Sequence, residues 1–155
     1  RSRNQFCDSQ FTTASTNSTE SPERMGALIN DLQTRFPSAK ICMVGTSRST
    51  YSTMGLAEKF DGKINCIIHT ASMNQIARFD TRKFKSRHLM VHHKNDPCHL
   101  TTYASTQSNH ERYKTPLITM EGGSSTGDSC QAFSYHGFNG IEQQTIDQIK
   151  AWIRN

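Results

Sequence analysis

The chain has 155 residues, enough for one domain with a sizeable core. Its apolar share of 34%, even with the nine glycines added, stays below the roughly 45–50% usual for globular chains. The formal charge of +5 bears on solubility and acidic partners rather than on fold, and no run approaches the roughly 18 apolar residues of a membrane-spanning helix.

The apolar deficit is concentrated at the start. Residues 1–24 hold Phe6 and Phe11 and almost no other large apolar side chain, and Thr12 to Thr19 lack hydrophobic periodicity. Residues 1–20 therefore read as a polar loop or tail, and residues 21–155 as the domain. No charged-then-apolar segment resembles a signal peptide. The chain starts at Arg1 rather than Met, which is compatible with a fragment or a processed product.

Ser21-Pro22-Glu23 is a helix start: a capping hydroxyl, a proline at the first helical position and an acid at the positive end of the dipole. Met25, Leu28, Ile29, Leu32 and Phe36 recur at helical spacing until Pro37. Residues 40–44 form a short apolar run, expected as a strand covered on both faces and ended by Gly45. A second helix is expected over 49–60, packed through Tyr51, Met54, Leu56, Ala57 and Phe60, with Asp61-Gly62 closing it. A buried strand follows over 64–69. Residues 71–86 read as an irregular connection with room for a short helix, and 88–92 as a third strand. A helix over about 101–113 has a weaker pattern, residues 116–120 make a fourth strand, and Ile141, Ile146, Ile149 and Ile153 mark a terminal amphipathic helix. Alternation of strands and helices predicts an α/β fold, a mostly parallel sheet with helices on both faces and a ligand site beyond the carboxyl ends of the strands.

Gly45-Thr46-Ser47-Arg48-Ser49 lies between a strand and a helix, where a sharp turn exposes a serine hydroxyl at the sheet edge. Ser49 stands where the G-x-S-x-G pattern has its second glycine. On its own such a segment is more often a turn or helix cap than a nucleophile. A serine hydroxyl needs a base, and the base needs an acid to orient it. Asp96 follows the third expected strand and His136 the fourth, so a parallel sheet delivers both to the edge that carries Ser47. The order Ser, Asp, His is that of α/β hydrolases.

Val44-Gly45-Thr46-Ser47-Arg48, then Val91 to Cys98, then Cys130 ahead of His136-Gly137-Phe138-Asn139-Gly140-Ile141-Glu142, resemble the successive motifs of a bacterial α/β-hydrolase family, from about residue 21 to the end. The resemblance implies Ser47 as nucleophile, Asp96 as acid, His136 as general base and the Arg48 amide as one oxyanion-hole donor. The family elbow GTSRG is GTSRS here. The resemblance also implies that the first strands of such a domain, with the second oxyanion donor, fall outside this sequence, and that Cys98 pairs with Cys130, the other outcome being two free thiols. Such a bridge would point to a secreted or periplasmic setting, because disulfides persist mainly in oxidising compartments.

Cys42 and Cys66 fall within expected strands and read as small core residues, and Cys7 as exposed. His92, His93, Asp96, Cys98 and His99 are metal-ligand types, but their spacing matches no closed zinc pattern. No metal and no other cofactor is expected. Arg78, Arg82, Lys83, Lys85 and Arg87 crowd one segment; without aromatic interleaving of the RNA-binding kind this reads as a solvated face rather than a nucleic-acid surface. The expected partner is a small-molecule acyl substrate, and oligomeric state is not legible. A non-catalytic, hydrolase-like binding module is the competing reading.

Overall fold

The computed structural model describes residues 3–17 and 20–155; Arg1, Ser2 and the last two residues of the polar run, Ser18 and Thr19, lie outside the described residues. Four strands, β1 (Cys42–Thr46), β2 (Cys66–Thr70), β3 (Arg87–His93) and β4 (Leu117–Met120), form one parallel sheet in the order β1-β2-β3-β4. Helices α1 (Pro22–Arg35), α2 (Thr50–Phe60), α3 (Tyr103–Tyr113) and α4 (Glu142–Arg154) alternate with the strands except between β2 and β3, which no α-helix separates.

The helix start at Ser21 forms as its chemistry dictates: the Ser21 hydroxyl accepts from the Arg24 N–H at 3.2 Å and Pro22 opens the helix. From α1, Ile29 joins Leu56, Ala57 and Phe60 of α2 and Met43 and Ile67 of the sheet in one apolar layer. On the other face Ile149 of α4, with Trp152 and Ile153 beside it, covers Cys66, Ile68, Leu89 and Val91. Strand residues of alternate parity therefore feed two separate cores, as the pleat requires.

Two expectations are corrected. Strand β1 is not covered on both faces: Val44 is 44% exposed, and β1 pairs only with β2 among the described residues. Cys42 and Cys66 are not free core thiols but a disulfide, because the β1–β2 register places them opposite one another with Cα atoms 4.5 Å apart. Cys7 is free and exposed.

The weak apolar pattern of α3 has a physical cause. This helix is held by polar side chains: the buried Asn109 donates to the carbonyls of Ile76 (2.6 Å) and Phe79 (2.8 Å) and accepts from the Thr115 hydroxyl. Residues 71–86, where room for a short helix was expected, contain two 3-10 turns, Asn74–Arg78 and Thr81–Lys83. The described part of the polar N-terminal stretch is loop apart from a 3-10 turn at Arg3–Phe6, and it lies against α4. Lys150, itself buried, donates to Asp8 Oδ2 at 2.8 Å and to the Gln5 carbonyl at 3.3 Å. That hydrogen bond, chiefly, lowers the Asp8 carboxyl to about 2.

Under α2 lies a buried imidazole pair. The Thr53 hydroxyl donates to the Thr50 carbonyl and so accepts from His69 Nδ1 at 2.8 Å; His69 Nε2 then accepts from His88 Nδ1 at 3.1 Å. Burial, with His88 adding, lowers His69 to about 3, and burial lowers His88 to about 4 although Asp61 opposes it. Both histidines are depressed in the folded state, so the unfolded chain binds more protons below its own value of 6.5. Their contribution is full above that pH and declines as pH falls towards 4 and then 3, by up to about 1.4 kcal/mol per pH unit for each ring. A urea midpoint that falls from pH 7 to 4.5, and falls less in His88→Gln, is the expected result.

Candidate active site

All four strands run towards the same edge, and the candidate residues lie just beyond it. Ser47 follows β1 directly and begins a 3-10 turn, Ser47–Ser49, that runs into α2. Its φ is +52°, a left-handed conformation that a non-glycine residue adopts only under constraint, at a cost on the order of 1–3 kcal/mol. The constraint is visible. The buried Thr50 hydroxyl donates to the Ser47 carbonyl at 2.6 Å and accepts from the Met73 N–H at 3.1 Å, tying the turn to the loop after β2.

Gly45 lets strand and helix come this close. A Cβ there would stand 2.6 Å from both the Ser49 carbonyl oxygen and Thr53 Cγ2. Gly45→Ala is therefore expected to destabilise by roughly 1–3 kcal/mol and to displace Ser47, seen as a lower melting temperature together with slower modification of Ser47. Ser49 is different. Its backbone is ordinary right-handed helix, φ −68°, ψ −9°, so nothing in its conformation demands glycine.

The structure brings Ser47, His136 and Asp96 together. Ser47 Oγ lies 2.9 Å from His136 Nε2, and His136 Nδ1 lies 3.0 Å from Asp96 Oδ2. Asp96 sits in the turn after β3. Its Oδ1 accepts from the Cys98 N–H at 2.9 Å, and its Oδ2 also accepts from the Thr101 hydroxyl at 3.0 Å and from His92 Nε2 at 3.1 Å. Burial opposes ionisation of Asp96, but the hydrogen bonds from His136, His92 and Cys98 outweigh it and hold the carboxyl down at about 2. An ionised acid makes His136 Nδ1 the donor, which leaves Nε2 free to accept the serine proton.

His136 occupies a short 3-10 turn, Tyr135–Gly137, and its own N–H donates to the Ser134 hydroxyl at 3.1 Å. Cys98 and Cys130 form a disulfide with Cα atoms 4.7 Å apart, joining the loop of Asp96 to the loop that leads to His136. Arg48 is exposed on the helical turn after Ser47, where the first N–H groups lack intrahelical carbonyl partners. Thr101 was not singled out by sequence reasoning, and His92 was named only as a metal-ligand type.

His93 is buried: it stacks on Tyr135 at 4.4 Å, accepts from the Asn95 N–H and donates to the Gly122 carbonyl. His99 is exposed. Among the described residues no group of three or more His, Cys, Asp or Glu is placed to hold a metal, and no helix is long and apolar enough to cross a membrane.

Solved structures share this architecture. The chain is similar to an alpha-beta serine hydrolase homologue from Coxiella burnetii (TM-score 0.58, 15% identity, 89% of this chain and 62% of that one). It is also similar to an a/b serine hydrolase without lid from Xanthomonas campestris (0.57, 13%, 89% and 61%). A third likeness is to the esterase domain of a Rhodothermus marinus protein (0.52, 11%, 88% and 69%). No protein-family model and no curated protein matches the sequence. The fold is thus of the α/β-hydrolase type, and the chain spans less than two thirds of the length of the first two structures.

Proposed function

We propose that this chain carries the triad of a serine hydrolase that cleaves an ester or similar acyl bond in a small-molecule substrate. The observation that supports this most is the continuous hydrogen-bond line from Ser47 Oγ through the His136 ring to Asp96 Oδ2, at 2.9 and 3.0 Å. As the Ser47 oxygen attacks the substrate carbonyl, its proton passes to His136 Nε2, and Asp96 stabilises the imidazolium. His136 then returns the proton to the leaving group, and water, activated by the same nitrogen, releases the acyl group. The Arg48 amide donates to the developing oxyanion, a bond of a kind worth roughly 100- to 1000-fold in rate.

A fluorophosphonate probe tests the reading. The folded chain should be labelled at Ser47, and both Ser47→Ala and His136→Ala should abolish labelling. No labelling of a folded sample would favour a non-catalytic, hydrolase-like binding module.

A further inference from the structure

His92 is wholly buried at the end of β3, on the sheet face opposite Val91, and its position has no explanation in strand packing. Its Nε2 lies 2.8 Å from the Thr101 carbonyl oxygen. A carbonyl only accepts, so Nε2 carries a proton, and the same N–H reaches Asp96 Oδ2 at 3.1 Å. Nδ1 has no hydrogen-bond partner among the described residues. A buried polar atom left unmatched costs about 1–3 kcal/mol, which an apolar residue at this strand position would avoid. What the imidazole supplies in return is one bridging donor between an acid and a backbone carbonyl.

Resting on the triad reading above, we propose that His92 is a positioning residue, whose Nε2–H locks the Asp96 carboxylate and the Thr101 carbonyl into one frame and shares Asp96 Oδ2 with His136. Thr101 closes that frame from the other side: its hydroxyl donates to Asp96 Oδ2 at 3.0 Å and lies 2.9 Å from His136 Nδ1. Two consequences follow from the chemistry. The carboxylate cannot rotate away from His136 without breaking bonds to His92 and Thr101. The same bonds keep Oδ2 aimed at His136 Nδ1, so the ring holds the tautomer that leaves Nε2 facing Ser47 Oγ.

The groups facing this centre are few. Ser47 meets His136 from the elbow, Asp96 and Thr101 meet it from the loop after β3, and from α3 the Tyr103 ring stands edge-on to His92 at 6.1 Å. Tyr135, beside His136 in sequence, is stacked on His93.

The test compares His92→Leu, which removes the donor, with His92→Gln, whose amide retains one, by the rate of fluorophosphonate labelling at Ser47 and by the His136 Nδ1 proton resonance in NMR. His92→Leu should slow labelling at neutral pH by about 10- to 100-fold and displace that resonance, because the carboxylate that accepts the proton is no longer held. His92→Gln should recover most of both. A structural role alone would lower the melting temperature of His92→Leu while leaving the labelling rate of the folded protein and the resonance unchanged, and that result would overturn the proposal. The resonance reads the role of His92 without any reaction, whereas an unlabelled Ser47 in the unaltered chain sinks the triad reading itself.

Discussion

Asp96→Asn is expected to slow modification of Ser47 by about 10,000-fold while the chain stays folded. Both oxygens of Asp96 act only as acceptors: Oδ1 takes the Cys98 N–H, and Oδ2 takes Thr101, His92 and His136. An asparagine must put its NH2 group on one side. Placed at Cys98, it opposes donor to donor. Placed at His136, it forces Nδ1 to become the acceptor, so the ring proton moves to Nε2 and points at Ser47 Oγ, where a base is needed. Labelling rates and a melting curve on the same sample check this. A loss of only a few-fold would remove Asp96 from the role of acid.

Removing the Cys98–Cys130 bridge should have the largest effect on stability. The bridge spans 32 residues of sequence, and in the chain-entropy model a loop of that length is worth about 3–4 kcal/mol. Cys98→Ala with Cys130→Ala should thus lower the melting temperature by roughly 10 °C. It should also slow Ser47 labelling, since the Cys98 amide holds Asp96 Oδ1. The Cys42–Cys66 bridge is the internal control. With a separation of 24 residues it should contribute nearly as much, about 3.5 kcal/mol, yet it joins the first residues of β1 and β2, at the opposite end of the sheet from Ser47. Its removal should lower stability and leave the labelling rate of the folded protein unchanged. Equal effects of the two bridges on labelling would contradict the coupling assigned to Cys98.

Much of the architecture was legible because it is written in local chemistry. Ser21-Pro22, the apolar stripe of α4 and the runs that became β2 and β3 each announce an element through residues close in sequence. The placement of Ser47, Asp96 and His136 was also legible, because in a parallel sheet every residue just past a strand arrives at one edge. What escaped depended on partners distant in sequence. Cys42 meets Cys66 through strand register, which neither residue encodes alone. Asp8 and Lys150 are 142 positions apart, and nothing in a polar leader says that it will dock. The hold on α3 comes from Asn109 and Thr115 rather than from an apolar face, so hydrophobic periodicity was the wrong signal there. The role of His92 was obscured because the spacing to Asp96 crosses a turn, where helical or strand periodicity says nothing about which side chains meet.

The loop before His136 is closed at its base, where the Ser124 N–H donates to the Asn139 carbonyl, the Thr126 N–H donates to the Phe133 carbonyl and Cys130 is bonded to Cys98. Its tip, around Gly127, is exposed, and a Cβ built there meets nothing within 4 Å, although a φ of +72° favours glycine at that one position. The loop is thus anchored where it leads to the histidine and open where it meets solvent, so an insertion beside Gly127 would leave the frame of His136 in place.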